Sequence, residues 1–318
     1  LPPELDWFAD TRRQHGVTEK RPLQHYSYAW VPKRRGAPRL IEAPKPRLKA
    51  LQRQILRDIL DRIPVHEAAH GFVKGRSCLG GAARHGGEAV VATLDLADFF
   101  PSVPLERVHG IFRCLGYPTA VARLLTGLCS TTTPRGVLAA APGVKRPPGA
   151  FVPEAAPHLP QGAPTSPALA NLSANRLDAR LDQLAEYAGA RYTRYADDLA
   201  FSGDDEFAAG IGSFLATVEE IIRAERFAPN RRKTRIMRRA GRQQVTGLVV
   251  NQHLNVPRPD YDRLKAILHN CARHGPAGQN RDGHPDFRAH LDGRVGWVQT
   301  VNPHRGLKLR LLFEAIAW

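Results

Sequence analysis

Long apolar runs are the first thing this chain lacks. No stretch of 18 or more apolar residues occurs, so the sequence provides no membrane-spanning helix. A secretory signal pattern is missing as well, and the chain opens on Leu1 rather than Met, as a trimmed product or a piece of a longer protein would. Cysteine is scarce: Cys78, Cys114, Cys129 and Cys271 lie far apart, and none forms a CxxC pair. That excludes a disulfide framework and fits reduced, buried thiols in a cytoplasmic protein. Acidic residues are the other shortfall, 30 against 46 Lys and Arg, which gives a formal net charge of +16 and a pI near 10.3. A chain this basic attracts a polyanion.

What is present sharpens that reading. With 318 residues and 42% apolar content, the chain can bury a sizeable core and divide into two or three lobes. Its charge is clustered. Residues 33–57 hold nine Lys or Arg against Glu42 and, just past the end, Asp58; residues 223–242 hold nine more against Glu225 alone. Most charge runs are only solvated surface. Two such blocks beside a carboxylate pair suggest a channel for nucleic acid, with phosphate contacts supplying much of the affinity.

Taken in order, residues 1–30 read as a short helical lead packing through Leu5, Trp7 and Phe8. Residues 30–41 read as a β-hairpin with a basic tip and its turn at Gly36. Leu48, Leu51, Ile55, Ile59 and Ile63 recur at helical spacing and predict a helix over 46–63 that Pro64 ends. His66-Glu67-Ala68-Ala69-His70 matches the HExxH zinc-protease pattern, but Pro64 and Gly71 deny it the sustained helix that the chemistry requires. Lys74-Gly75-Arg76-Ser77 follows as a basic loop open to phosphate. Helices are expected over 105–115, 119–129 and 206–223. Residues 133–158 lose periodicity and read as a long loop or an extended β-hairpin. Leu169 to Leu184 continue an apolar stripe behind a turn in which Ser166 and Pro167 suit a helix cap and first turn. Beyond Asn255 the chain is helical and basic, with a polar break over 275–286.

Two stretches carry chemistry. Residues 89–100 form a buried apolar run that delivers Asp95, and an ionised carboxylate there requires a cation partner. In Arg194-Tyr195-Ala196-Asp197-Asp198-Leu199-Ala200-Phe201-Ser202, two adjacent carboxylates stand between alternating apolar runs, predicting strand, turn and strand. Side by side they repel unless a divalent cation neutralises them. In isolation such a pair is more often a solvated turn. Asp95 and the two basic blocks favour a metal site.

In this order, the elements resemble the reverse transcriptases, and in particular the retron type of bacterial reverse transcriptase. The resemblance runs from about Trp30 to Asn251 and more weakly to the end. It rests on Asp95 in LDLADFF, LPQGAPTSP at 159–167, YADD at 195–198, PNRRKTR at 229–235 and VTG at 245–247. The stretch Gln161 to Pro167 argues against diversity-generating enzymes, and the short chain lacks the extensions of group II intron enzymes. One departure stands out. Retron enzymes often carry Asn-Ala-x-x-His before the first aspartate motif, and here the matching residues are Gly81-Ala82-Ala83-Arg84-His85.

The resemblance implies an α+β right-hand polymerase fold. The lead and fingers would occupy 1–88. The palm, an antiparallel sheet with packed helices, would occupy 89–132 and 166–250, with a fingers or loop insertion over 133–165. A small, mainly helical, RNA-binding thumb would occupy 251–318. Asp95 and Asp197 would bridge two Mg²⁺ ions, for which Mn²⁺ could substitute, with Asp198 a weaker ligand and the Leu96 carbonyl a further one. Lys33 and Arg39 would clamp the incoming triphosphate, Arg39 more firmly because a guanidinium binds phosphate bidentately. Phe99 and Phe100 would line the nucleotide site, with Phe100 excluding a ribose 2′-hydroxyl, and Gln161 would lie near the sugar and template. Lys233 would protonate the leaving pyrophosphate. Arg53, Lys74, Arg76, Arg258, Arg263 and Lys265 would grip RNA. A retron enzyme further implies dNTPs, a structured noncoding RNA as template and 2′-hydroxyl primer, a DNA product, and an effector in phage defence. The competing readings are a group II-like or abortive-infection reverse transcriptase, and a non-catalytic RNA-binding protein on the same fold.

Overall fold

The computed structural model describes residues 3–10, 24–33, 37–143 and 152–318. A short helix, α1 (Pro3–Ala9), precedes an antiparallel hairpin of β1 (Tyr26–Val31) and β2 (Arg39–Pro44), with Tyr26 opposite Pro44 and Val31 opposite Arg39. The turn expected at Gly36 lies outside the described residues. Pro46 opens α2 (Pro46–Asp58), where its fixed φ suits a first turn and its missing N–H costs nothing. This helix stops short of the expected end because Ile59 leaves helical geometry, and a 3₁₀ turn over Leu60–Arg62 finishes the run. Gln52 is buried on α2 and donates its amide to Tyr26 Oη (3.0 Å) and the Leu128 carbonyl (2.8 Å), which ties the hairpin to the helices behind it.

Residues 66–70 form turns rather than helix, so the two histidines of the HExxH match share no helical face. Next come α3 (Cys78–Ala83), β3 (Val90–Asp95), α4 (Leu105–Cys114) and α5 (Thr119–Leu128). The stretch expected as loop or hairpin instead holds a short helix, α6 (Arg135–Ala139), started by Pro134 and too brief for its period to register in the sequence. An antiparallel bridge between Thr131 and His158 closes its base. The leucine stripe divides at Ala174 into α7 (Ser166–Ser173) and α8 (Asn175–Tyr187). Thr165, not Ser166, holds the N-cap position. Ser166 is already helical, and its hydroxyl donates to the Pro160 carbonyl at 2.8 Å.

Strands β4 (Arg191–Tyr195) and β5 (Asp198–Gly203) form the expected hairpin. They lead to α9 (Asp205–Ala224), whose N-cap Asp204 accepts from the Phe207 amide. Then follow β6 (Arg235–Arg238), the two-residue strands β7 (Gln244–Val245) and β8 (Leu248–Val249), and three helices: α10 (Arg258–His274), α11 (Phe287–Val301) and α12 (Pro303–Glu314). The principal sheet has the order β4-β5-β3-β6, antiparallel throughout. Val90, Val91 and Ala92 of β3 are fully buried because both faces of the sheet are covered there, so the strand reads as one apolar run rather than an alternation. One core gathers Leu94, Leu199 and Phe201 with α2, α4, α5 and α7–α9. A second gathers Val91 and Ala200 with β7, β8 and α10–α12. Among the described residues no helix is long and apolar enough to cross a membrane.

Candidate active site

Asp95 ends β3 and is 4% exposed. The sheet register sets Asp198, the first residue of β5, directly opposite it. The Leu96 amide donates to the Asp197 carbonyl (2.9 Å), so the two acidic segments are joined by backbone as well. A third segment runs alongside. The Asn230 amide donates to the Asp95 carbonyl (2.7 Å), Asn230 Nδ2 to Asp95 Oδ1 (2.9 Å), and Lys233 Nζ to Asp95 Oδ2 (2.6 Å). Burial alone would lower the Lys233 pKa, but Asp95 outweighs it and the group is held above its ordinary value.

The β4–β5 hairpin turns through Ala196 and Asp197, with Tyr195 paired to Asp198. Ala196 is left-handed, at φ +56°. An alanine there costs roughly 1–2 kcal/mol and persists only where its surroundings dictate it. Here they do. Arg194 is fully buried beneath the turn and donates from Nη1 to the Ala196 carbonyl (3.0 Å) and to Asn171 Oδ1 (2.9 Å). Its Nε and Nη2 grip both oxygens of Asp178, at 2.7 and 2.6 Å, and Tyr192 Oη donates to Oδ1 at 2.9 Å. Asp178 keeps the guanidinium charged against the penalty of burial.

A neighbouring segment braces the same turn. The His70 amide donates to the Arg194 carbonyl (2.7 Å), and Asn171 Nδ2 to the Gly71 carbonyl (2.9 Å). A Cβ on Gly71 would stand 2.6 Å from the Ala196 nitrogen. Gly71→Ala is therefore expected to shift the turn that carries Asp197; on the polymerase activity that the sequence resemblance implies, primer extension should fall on the order of tenfold to a hundredfold. Steady-state extension rates check this, and a wild-type rate would show that the turn tolerates displacement.

Asp198 reaches solvent, yet burial first, then the charges of Asp197 and Asp95, push its carboxyl up to about 6. Burial, followed by the Asp95 carboxylate, also raises Asp197 above its ordinary value. Among the described residues no three His, Cys, Asp or Glu side chains form a ready-made metal cluster. The donor set nonetheless fits a hard divalent cation: oxygen ligands from two strands, crowded enough to resist ionisation together. Asp95, Asp197 and Asp198 would hold it. The sign of the pH effect follows. A carboxyl raised from 3.8 to about 6 in the fold costs stability as pH rises through that window. Metal-free protein should melt lower at pH 7.5 than at pH 5, and Mg²⁺ should raise the melting temperature more at pH 7.5. An equal gain at both pH values would contradict the site.

The cleft beside these groups, about 520 Å³, is lined by Asp95, Asp198, Lys233, Tyr195, Thr93 and Arg235 among others. Lys33, Arg39 and Gln161 are not in its lining. Lys33 and Arg39 are exposed on the β1–β2 hairpin. Gln161 stands on the turn that fastens this hairpin to the rest: its carbonyl accepts from the Glu42 amide at 2.8 Å. Gly162, at φ +136°, lets that turn approach, since a Cβ there would lie 2.9 Å from the Glu42 carbonyl. Below, the buried Glu42 carboxylate accepts from Thr133 Oγ1 and His158 Nε2, both at 2.7 Å. His158 Nδ1 meets the Ala156 carbonyl at 2.7 Å, so both ring nitrogens donate. Burial would lower the His158 pKa, and Glu42 raises it by more.

Phe99 is buried against the Arg194 guanidinium (5.6 Å), whereas Phe100 is half-buried at the mouth. Arg53, Lys74, Arg258, Arg263 and Lys265 are exposed. Arg76 is half-buried, and its Nη1 donates to the carbonyls of His66, Glu67 and Ala69 in its own loop. Sequence reasoning missed Asn230, Asp178 and the Glu42–His158 pair. Asn230 sat within PNRRKTR and Glu42 within the basic block over 33–57, but no local pattern marked either as a partner of another side chain.

The antiparallel sheet thus sets Asp95 of β3 opposite Asp198 of β5, with Asn230 and Lys233 bonded to Asp95. The chain belongs to the reverse transcriptase (RNA-dependent DNA polymerase) family, whose pattern matches residues 31–251. It is 45% identical over 287 residues to the Retron Mx65 reverse transcriptase of Myxococcus xanthus, covering 90% of this chain and 64% of that one. It is 39% identical over 324 residues to the Retron Mx162 reverse transcriptase of the same organism (95% and 62%). Against the Retron Ec86 reverse transcriptase of Escherichia coli it is 35% identical over 233 residues (73% and 64%). The chain spans less than two thirds of the length of these relatives.

Proposed function

We propose that this chain is the RNA-directed DNA polymerase of a retron, copying a structured noncoding RNA into single-stranded DNA. The observation that carries the reading is the pairing of Asp95 with Asp198, locked by the Leu96 amide on the Asp197 carbonyl. The reaction is attack of a primer hydroxyl on the α-phosphorus of a dNTP. A P–O bond forms, the bond to pyrophosphate breaks, and the hydroxyl proton is lost. When bound, two Mg²⁺ ions, or Mn²⁺ in their place, would supply hydroxyl activation and charge neutralisation at the leaving group. Asp95, Asp197 and Asp198, with the Leu96 carbonyl, would hold them. Arg39 and Lys33 bind the triphosphate, Gln161 positions the sugar and template, and Phe100 excludes a 2′-hydroxyl. Lys233, whose Nζ lies 2.6 Å from Asp95 Oδ2 and whose charge Asp95 sustains, would deliver a proton to pyrophosphate.

We assign the fingers to 1–88, the palm to 89–132 and 166–250, the insertion to 133–165 and the thumb to 251–318. Exposed Arg53, Lys74, Arg258, Arg263 and Lys265 suit contacts to RNA by shape and phosphate. Identity to several retron enzymes supports priming from an RNA 2′-hydroxyl, a branched RNA–DNA product, a cytoplasmic setting and work beside a defence effector. The test is extension of a primed RNA template with dNTPs and Mg²⁺, together with sequencing of nucleic acid that copurifies. A foldable RNA joined to DNA through a 2′ linkage is expected. Extension without such an RNA would point to another bacterial reverse transcriptase.

A further inference from the structure

Phe72 is out of place on folding grounds. The residue is 51% exposed, and its backbone is left-handed at φ +60°. Both features cost free energy, and a bulky residue in that region points to a functional constraint. Burial does not offset the cost, because half of the residue faces solvent. The conformation is imposed by the preceding residues. His70 and Gly71 are fastened to Arg194 and Asn171 by hydrogen bonds of 2.7 and 2.9 Å, and Gly71 lies flush against the backbone of the catalytic turn. Whatever positions Asp197 therefore positions Phe72 as well.

The ring completes a row. Its centroid is 6.0 Å from that of Phe100, which follows the Asp95 strand, and 6.4 Å from that of Tyr195, which enters the catalytic turn. The interplanar angles are 47° and 35°. Three aromatic rings thus form a row that starts at Tyr195, which lines the cleft, and the middle one is the most open to solvent. Aromatic rings offered to nucleic acid engage bases and sugars through their faces without reading sequence. A copying enzyme requires that tolerance where each new pair forms.

We propose that Phe72 is a substrate-contacting residue whose ring packs against the nascent base pair beside Phe100. The inference rests on the polymerase reading. Single-nucleotide extension of a primed RNA template by the full chain tests it. Phe72→Ala should raise KM for the dNTP by roughly tenfold to a hundredfold, the range seen when an aromatic stacked on a base is removed. It should leave kcat within about threefold, a split that merely structural damage would not give, with an unchanged or higher melting temperature. Phe72→Trp should restore KM, because it returns the ring. Phe72→Gly separates ring from backbone: it relaxes the left-handed strain and should keep the Phe72→Ala defect. Wild-type KM in Phe72→Ala or in Phe72→Gly overturns the proposal while the polymerase reading stands. If the wild-type chain extends no primer, the polymerase reading fails and this inference goes with it.

Discussion

Asp197→Asn is expected to abolish primer extension while leaving the fold intact. Asn is isosteric, and the Asp197 carbonyl that receives the Leu96 amide is backbone, so the strand junction survives. What disappears is one of three crowded carboxylates. Loss of a ligand that stabilises transition-state charge costs several kcal/mol, so the rate should fall at least about a thousandfold. Stability should move the other way. Asp197 and Asp198 are both held above their ordinary pKa values, first by burial and then by neighbouring carboxylates. Removing one charge relieves that repulsion, and the metal-free variant should melt at or above the wild-type temperature at pH 7.5. Extension assays and thermal melts on the same preparation give both readings. Near-wild-type extension would remove Asp197 from the catalytic set, and no extension by either protein would favour the non-catalytic alternative.

Arg194→Ala should have the opposite profile and damage the fold. Arg194 and Asp178 are both fully buried, and the substitution strands a carboxylate that keeps only Tyr192 Oη as a side-chain donor. Breaking a buried pair from one side costs about 3–5 kcal/mol. Replacing both partners with apolar residues of similar volume, Arg194→Met with Asp178→Leu, leaves no stranded charge and should restore most of the lost stability. The double variant still lacks the donor to the Ala196 carbonyl, so extension should remain impaired after the fold recovers. Urea midpoints separate the two effects. A wild-type midpoint for Arg194→Ala would show that the pair contributes little to the fold.

These two residues also show how far the sequence could be read. Asp95 was legible because an apolar run delivered it, and Asp197 with Asp198 because alternation broke at their turn. The helices α2, α4, α5 and α9 followed from apolar spacing and prolines, within a few residues at each end, whereas α3 did not. Arg194 was legible only as a strand position. That it is charged, buried and paired with Asp178 depends on α8 packing beneath β4, a contact between residues 16 apart that carries no local pattern. Lys233 lay in a singled-out stretch, but its bond to Asp95 spans 138 positions. Glu42 and His158 offered even less, one inside a basic block and one at the end of a Pro- and Ala-rich run. Arg76 had the composition of a phosphate ligand, while its loop spends one guanidinium nitrogen on three carbonyls. Composition and period report which surfaces are buried. They do not report which polar groups meet inside.

The two sheets differ in how they would breathe. β3 is paired on both sides and buried on both faces, whereas among the described residues β1 and β2 have only each other in their sheet. Amide protons on β3 can exchange only when the whole four-stranded sheet opens, while those of the hairpin can exchange through a smaller, local event. Asp95 rides at the end of the slow strand, and Lys33 and Arg39 ride on the fast one. On the proposed assignment, the hairpin that would meet each incoming nucleotide can thus loosen and close again many times along a template while Asp95 keeps its place.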